Sequence, residues 1–243
     1  MSETIEISVV VPVKDEAGNV APLAHEIAAA LRNEAAHEII FVDDGSLDST
    51  AAELVALKRE LPLRVLGHDR NLGQSRAIRT GVRAAKGAII VTLDGDGQND
   101  PADIPKLLAL FRGGAANPLL GMVAGERTKR QDNWKKRTAS RLGNSIRRKL
   151  LGDSAKDTGC GLKIFRREAF LALPYFDHMH RYLITLMLRE GYEVRFISVG
   201  HRPRGAGRSK YGVLDRLAVG FSDLAGVIWL KRRFRGPDTP KEY

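Results

Sequence analysis

Ala88-Ile89-Ile90-Val91-Thr92-Leu93-Asp94-Gly95-Asp96-Gly97-Gln98-Asn99-Asp100-Pro101 is an apolar run that stops abruptly in carboxylates set two apart among glycines. A short apolar run bounded by turn residues reads as a strand covered on both faces. A strand that ends in Asp-Gly-Asp places two hard oxygen donors at its carboxyl edge, where open α/β sheets bind their ligands. Such donors suit Mg²⁺ or Mn²⁺, ions usually held by one or two carboxylates together with substrate phosphates. Asp and Gly are also turn residues. The stretch alone therefore allows two readings, a holder for a metal–diphosphate or a turn chosen for its backbone.

The alternation extends on both sides of this stretch. Ile5 to Val13, Glu38 to Val42 and Leu63 to Leu66 are further strand-like runs. Between them, Asn19 to Arg32 shows helical spacing, with Val20, Leu23, Ile27 and Leu31 on one side. Ser49 to Leu61, with Asp48 or Ser49 as N-cap, and Ser75 to Ala85 are helical too. Strands and helices alternating at this spacing predict βαβ units and a parallel sheet. After Gly113 the pattern predicts a strand at Gly121 to Gly125 and a strongly basic stretch, Arg127 to Lys149, whose one acid is Asp132. A glycine-broken segment from Asp157 leads into a short strand ending at Phe165. Then follow a helix at His180 to Glu190, a strand at Glu193 to Val199, a basic glycine-rich loop from Arg202 to Gly212, and a last helix from Val213 to about Phe234.

The chain has 243 residues and a formal net charge of +10, which points to an anionic partner: nucleic acid, lipid headgroups or a phosphorylated substrate. Aromatic residues make up only 6%, a poor supply of stacking platforms, and no nucleic-acid partner is expected. With Cys160 the single cysteine, an internal disulfide framework and a multi-cysteine zinc site are excluded. Met1 to Glu6 lacks the pattern of a signal peptide, and no stretch reaches the ~18 apolar residues of a membrane span.

Two more strand ends carry acids, Val11-Pro12-Val13-Lys14-Asp15-Glu16 and Val42-Asp43-Asp44-Gly45-Ser46-Leu47-Asp48-Ser49-Thr50. Acids at strand ends accept hydrogen bonds from base and ribose groups, and they also serve turns and helix caps.

The set "VVVPVKDE", "FVDDGSLDST", "NLGQSRAIRTG", "LDGDGQNDP" and "HRPRGAGRSKYG", in this order, strongly resembles family 2 glycosyltransferases, in particular the polyprenyl-phosphate branch typified by dolichol-phosphate mannose synthase and its bacterial relatives. The resemblance covers roughly Ile7 to Gly212. It implies an α/β fold of GT-A type, a mostly parallel central sheet flanked by helices, here with a C-terminal amphipathic helix. It also divides the chain into a GT-A domain over 1–212 (nucleotide-binding half about 1–112, acceptor half about 113–212), a docking helix over 213–234 and a flexible tail over 235–243. The implied reaction is transfer of a sugar from a nucleotide diphosphate, UDP or GDP, to a polyprenyl phosphate, with Mg²⁺ or Mn²⁺ as cofactor and inversion at the anomeric centre.

Carried over residue by residue, the resemblance assigns Pro12, Lys14 and Glu16 to the base and ribose, although Lys14 stands where the family commonly has Tyr. Asp43 or Asp44 would hold the nucleobase or ribose. Asp94 and Gly95 would contact the nucleotide, and Asp94, Asp96 and Gln98 the metal. Arg204, Ser209 and Lys210, with Gly205 and Gly207 between them, resemble a mobile phosphate-binding loop, while Arg208 has no assigned role. Arg127, Arg137 and Ser140 would hold the acceptor phosphate, and Lys163 a donor phosphate. The catalytic set is then Asp96, Arg127, Arg204 and Lys210. Cys160 reads as a small core residue, His180 as a possible third contact, and His25, His37 and His68 as surface or packing residues.

A phosphate acceptor is already ionised near neutral pH, which suits a chain with no evident catalytic base. Location follows from the last helix. Leu217, Phe221, Leu224, Ile228 and Trp229 share one side, and cations follow at Lys231 to Arg233. Such a helix suits an anionic membrane surface, a separate membrane protein, or simply the domain core. The expected location is cytoplasmic, at the inner face of the membrane. Two other readings compete: a glycosyltransferase acting on a hydroxyl, and a nucleotidyltransferase. The latter class usually opens with a glycine-rich, Arg-containing phosphate loop that Pro12 to Asn19 lacks.

Overall fold

The structure is a computed structural model that describes residues 4–114, 116–127, 150–152, 155, 157–203 and 213–236, without the side chains of 213–219 and 221. Among the described residues seven strands form one sheet in the order β3-β2-β1-β4-β6-β5-β7. They are β1 (Ile7–Val13), β2 (His37–Asp43), β3 (Leu63–Gly67), β4 (Ile89–Thr92), β5 (Leu120–Arg127), β6 (Lys163–Arg166) and β7 (Glu193–Val199). All run parallel except β6, which is antiparallel to both β4 and β5. The mostly parallel α/β sheet read from sequence is the sheet observed.

Among the described residues these α-helices cover it: α1 (Val20–Ala30), α2 (Thr50–Leu57), α3 (Gln74–Ala84), α4 (Ile104–Gly113), α5 (Arg167–Ala172), α6 (Leu183–Arg189) and α7 (Val213–Arg233). Side chains alternate across a strand, so β1 sends Val9, Val11 and Val13 to one face and Val10 to the other. The first face packs against α1, α2 and α4, the second against α3, α5, α6 and α7. Burial on both faces accounts for the near-continuous apolar strands.

Two local expectations are corrected. Helices α4 and α5 lie where no element is expected, although Ile104, Leu107, Leu108 and Phe111 have the i, i+3, i+4, i+7 spacing of a buried face. The single helix expected from His180 to Glu190 is a 3₁₀ turn, Met179–Arg181, followed by α6. Of the two caps read for α2, Asp48 accepts the Thr50 backbone N–H at 3.0 Å, while Ser49, at the cap position, donates to Glu53.

Helix α7 closes the second core. Val227 is fully buried there, with Leu224 and Ile228 packed beside it, while Trp229 on its other side is 60% exposed. Among the described residues no helix is long and apolar enough to cross a membrane.

Candidate active site

Parallel strands bring their carboxyl ends to one edge. Val13, Asp43, Thr92 and Arg127 therefore end four strands on the same side of the sheet. The reversed strand β6 adds its amino end there, so Lys163 stands opposite both Thr92 and Ala124. This reversal puts a cation beside the Asp94 carboxylate.

A cleft of about 340 Å³ opens at this edge, with Gln74, Asp94, Cys160, Gly161, Lys163 and His180 among its lining. Asp94 is fixed from two directions. Its backbone N–H donates to the Asn99 side chain at 3.1 Å, and its carboxylate accepts from the Gln74 amide at 2.8 Å. Burial, then the nearby charge of Asp96, pushes the Asp94 carboxyl above its ordinary range; Lys163, Gln74 and Arg127 oppose that shift. Asp96 is buried and accepts from the Gln98 backbone N–H at 3.1 Å. Gly95 can pass only because it lacks a side chain, since a Cβ there would strike Val13 and the Pro12 carbonyl.

Lys163 is 5% exposed and donates to the Cys160 carbonyl. Burial pushes its ammonium down, against the pull of Cys160, Asp94 and Asp157. Arg127 forms a two-pronged ion pair with Asp157, Nε at 2.6 Å and Nη2 at 2.8 Å. That pairing raises the guanidinium above its ordinary pKa in spite of burial. Cys160 is fully buried and its thiol is pushed up by burial, as befits a core residue rather than a nucleophile.

The ends of β1 and β2 meet beside this cleft. Lys14 donates to the Gly45 carbonyl at 2.8 Å, Glu16 accepts from Asn19, and Asp43 accepts from the Ser46 backbone and hydroxyl. Pro12 is buried within β1. Asp44 is 4% exposed and accepts from the backbone N–H groups of Leu72 and Gly73 at 2.9 and 2.8 Å. Its oxygen is also 2.7 Å from His68 Nδ1, and His68 Nε2 is 2.9 Å from the Thr80 hydroxyl. His68 thus ties β2, β3 and α3 together, more than the packing role expected of it. By contrast, His25 meets Glu60 at the surface, and His37 the Ala35 carbonyl.

The geometry adds Gln74, Asn99 and Asp157 to the residues singled out from sequence. Asp157 lies 30 positions from Arg127, and no local pattern announces such a pair. Arg137, Ser140, Arg204, Gly205, Gly207, Arg208, Ser209 and Lys210 lie outside the described residues. The segment leading to the last six of these is anchored at the site: the Arg202 backbone N–H donates to the Gln98 carbonyl, and its guanidinium holds Asp100 and Glu26.

His180 lies against Ser75, whose hydroxyl accepts from the His180 backbone N–H at 3.2 Å and sits 2.8 Å from Nδ1. Burial, helped by Arg181, Lys163 and His178, lowers its pKa from 6.5 to about 3. The ring is therefore neutral near pH 7. Between those two values the unfolded chain binds the extra proton, so this group stabilises less as pH falls from 6.5 toward 3. Urea unfolding at pH 7 and pH 5 should show wild type losing more stability on acidification than His180→Gln; equal losses would contradict the buried, neutral assignment.

The family model described as Glycosyl transferase family 2 matches residues 8–173. A dodecaprenyl-phosphate galacturonate synthase of Rhizobium johnstonii is 32% identical over 236 residues, 95% of this chain and 68% of the relative. An undecaprenyl-phosphate 4-deoxy-4-formamido-L-arabinose transferase of Edwardsiella ictaluri is 34% identical over 211 residues, and the match spans 63% of its length. The glucosyl-3-phosphoglycerate synthase of Mycobacterium tuberculosis, solved with Mn²⁺, UDP-glucose and glycerol 3-phosphate, shares the fold at a TM-score of 0.66. It is 20% identical, with 97% of this chain and 82% of that one covered.

Proposed function

This chain belongs to glycosyl transferase family 2, and from that membership we propose that it moves a sugar from a UDP- or GDP-sugar to a phosphate oxygen of a polyprenyl phosphate, with inversion. The observation that carries the reading is the sheet edge itself. The half-buried Asp94 carboxylate and the buried Lys163 ammonium line one cleft, with the buried Asp96 carboxylate close to Asp94 and the half-buried Arg127 paired to Asp157 at the end of β5. Relatives named for dodecaprenyl- and undecaprenyl-phosphate products support the acceptor class.

Among the described residues no three His, Cys, Asp or Glu side chains form a metal cage of their own. Two neighbouring carboxylates, Asp96 raising the cost of ionising Asp94, with the Gln98 amide nearby, nevertheless fit a divalent ion whose remaining ligands are phosphates. Asp94, Asp96 and Gln98 would hold it. Bound there, Mg²⁺ or Mn²⁺ would offset the charge of the departing nucleoside diphosphate.

The chain's own groups do the rest. Asp94, fixed by Gln74 and Asn99, sets the position of the reacting edge. The acceptor phosphate arrives ionised and needs no base. Arg127 orients it with the guanidinium protons that Asp157 leaves over. Arg137, Ser140, Arg204, Ser209 and Lys210 are assigned the phosphate contacts that the motifs imply. Lys163 shields the donor phosphates, and Pro12, Lys14, Glu16, Asp43 and Asp44 frame the nucleoside. Positioning two repelling phosphates is the main catalytic task. Trp229 and the cations Lys231 to Arg233 would seat the protein on an anionic cytoplasmic membrane face or on a membrane protein.

Labelled UDP- and GDP-sugars given with Mn²⁺ and a short polyprenyl phosphate test this directly. The label should pass into the organic phase only when the lipid phosphate is present. Equal transfer to water or to free sugars would overturn the acceptor assignment.

Arg127→Ala leaves Asp157 as a buried carboxylate without its cation, which costs about 3–5 kcal/mol. Combining it with Asp157→Asn should restore the fold. In that double variant the acceptor KM should rise while nucleotide affinity persists. Loss of nucleotide binding would place Arg127 on the donor side.

A further inference from the structure

Helix α3 carries Arg76, Arg79 and Arg83 along one side. At about 100° per residue this side lies roughly opposite Gln74 and Ile78, the α3 residues that line the cleft. Arg76 and Arg79 both lie over the ring of Tyr175, with their guanidinium carbons 4.3 and 5.0 Å from its centroid. A single aromatic face thus holds two like charges side by side. Among the described residues, none of the three guanidinium groups forms an ion pair with a carboxylate.

Arg79 Nη1 is shut off from water and, among the described residues, has no hydrogen-bond partner. A buried donor left unmade is costly, and native structures seldom keep one without a reason. Burial, then the charges of Arg83 and Arg76, lowers the Arg79 pKa, so the cluster is held against its own repulsion. The neighbouring Arg167 does not relieve it. Arg167 is itself a cation and donates to the Val82 and Arg83 carbonyls at the end of α3. What the cluster lacks is an acceptor of negative charge.

Guanidinium forks match the paired oxygens of a phosphate. We propose that Arg76, Arg79 and Arg83, backed by Tyr175, form a binding site for a phosphate-class anion on the outer side of α3, apart from the sugar-transfer cleft. The anion offsets the three like charges. Its source is either a soluble phosphate compound or an anionic lipid headgroup. The site does not depend on which sugar or acceptor the cleft uses.

Site-specific labelling with an arginine-selective dicarbonyl, read by peptide mass spectrometry on the full chain, separates these sources. EDTA and constant ionic strength keep the cleft's metal and simple screening out of the comparison. One arm adds inorganic pyrophosphate, the other phosphatidylglycerol vesicles with phosphatidylcholine vesicles as control. Labelling of Arg76 and Arg79 should slow by about tenfold when the effective ligand reaches ten times its dissociation constant. Protection by pyrophosphate assigns a soluble ligand, and protection by phosphatidylglycerol alone assigns a headgroup. Unchanged labelling in both arms overturns the proposal.

A second measurement uses Arg79→Gln. In low salt its unfolding midpoint should lie above that of wild type, because the crowding is gone. It should also lose most of the further rise produced by the effective ligand. Equal ligand-induced rises in variant and wild type would put the anion elsewhere and defeat the assignment.

Discussion

Asp96→Ala is expected to lower sugar transfer by about three orders of magnitude, while the protein stays folded. A metal-assisted departure of a diphosphate is worth several kcal/mol, and each 1.36 kcal/mol is a factor of ten. The carboxylate is buried beside Asp94, whose ionisation it opposes. Removing Asp96 should therefore ease the folded state while disabling the donor site. The account predicts a large loss in kcat, weakened Mn²⁺ binding, and an unfolding midpoint equal to or above that of wild type. Near-normal transfer by Asp96→Ala would remove Asp96 from the mechanism. A collapsed midpoint would mean that the carboxylate serves the fold instead.

Gly161→Ala carries the second large effect. A Cβ at this position would run into the Asp94 carboxylate, well inside van der Waals contact. The obstructing atoms are the tip of a side chain, so the backbone can remain while the carboxylate turns away. Gly161 is also held in place, its carbonyl accepting from the Thr92 hydroxyl at 2.9 Å. Displacing a reacting group by roughly an ångström can cost about a hundredfold in rate. Gly161→Ala should therefore lose about that factor in kcat, with a midpoint within a few degrees of wild type. A variant with unchanged kcat would show that the position of Asp94 does not limit the reaction.

Much of this site is legible in sequence because its residues sit where strands end. Asp43, Asp94 and Arg127 follow or close apolar runs, and parallel strands gather such ends on one edge. The antiparallel direction of β6 is not legible, since Lys163 to Phe165 has the same period read either way. Nor are the pairs made across the fold. Arg127 meets Asp157, Asp44 meets His68, and Gln74 meets Asp94 across 30, 24 and 20 positions. Each member looks like an ordinary polar residue until the sheet brings its partner.

Helix α7 shows a different limit. A helix with one apolar side has the same signature whether that side meets a bilayer or a core. Val227, Leu224 and Ile228 pack into the second core, whereas Trp229 is exposed on the other side. Helix α4 had the periodicity of a buried helix, but it starts at Ile104, just after the acid-rich turn and the proline that follows it.

The claim beneath all of this is that the Asp94–Asp96 edge receives a metal–diphosphate. Crystals soaked with Mn²⁺ and a UDP- or GDP-sugar, measured at the manganese absorption edge, test it most directly. The account predicts an anomalous peak bounded by the carboxylates of Asp94 and Asp96 and by the donor's diphosphate. A bound donor with no manganese there, or manganese held by other residues, would contradict it.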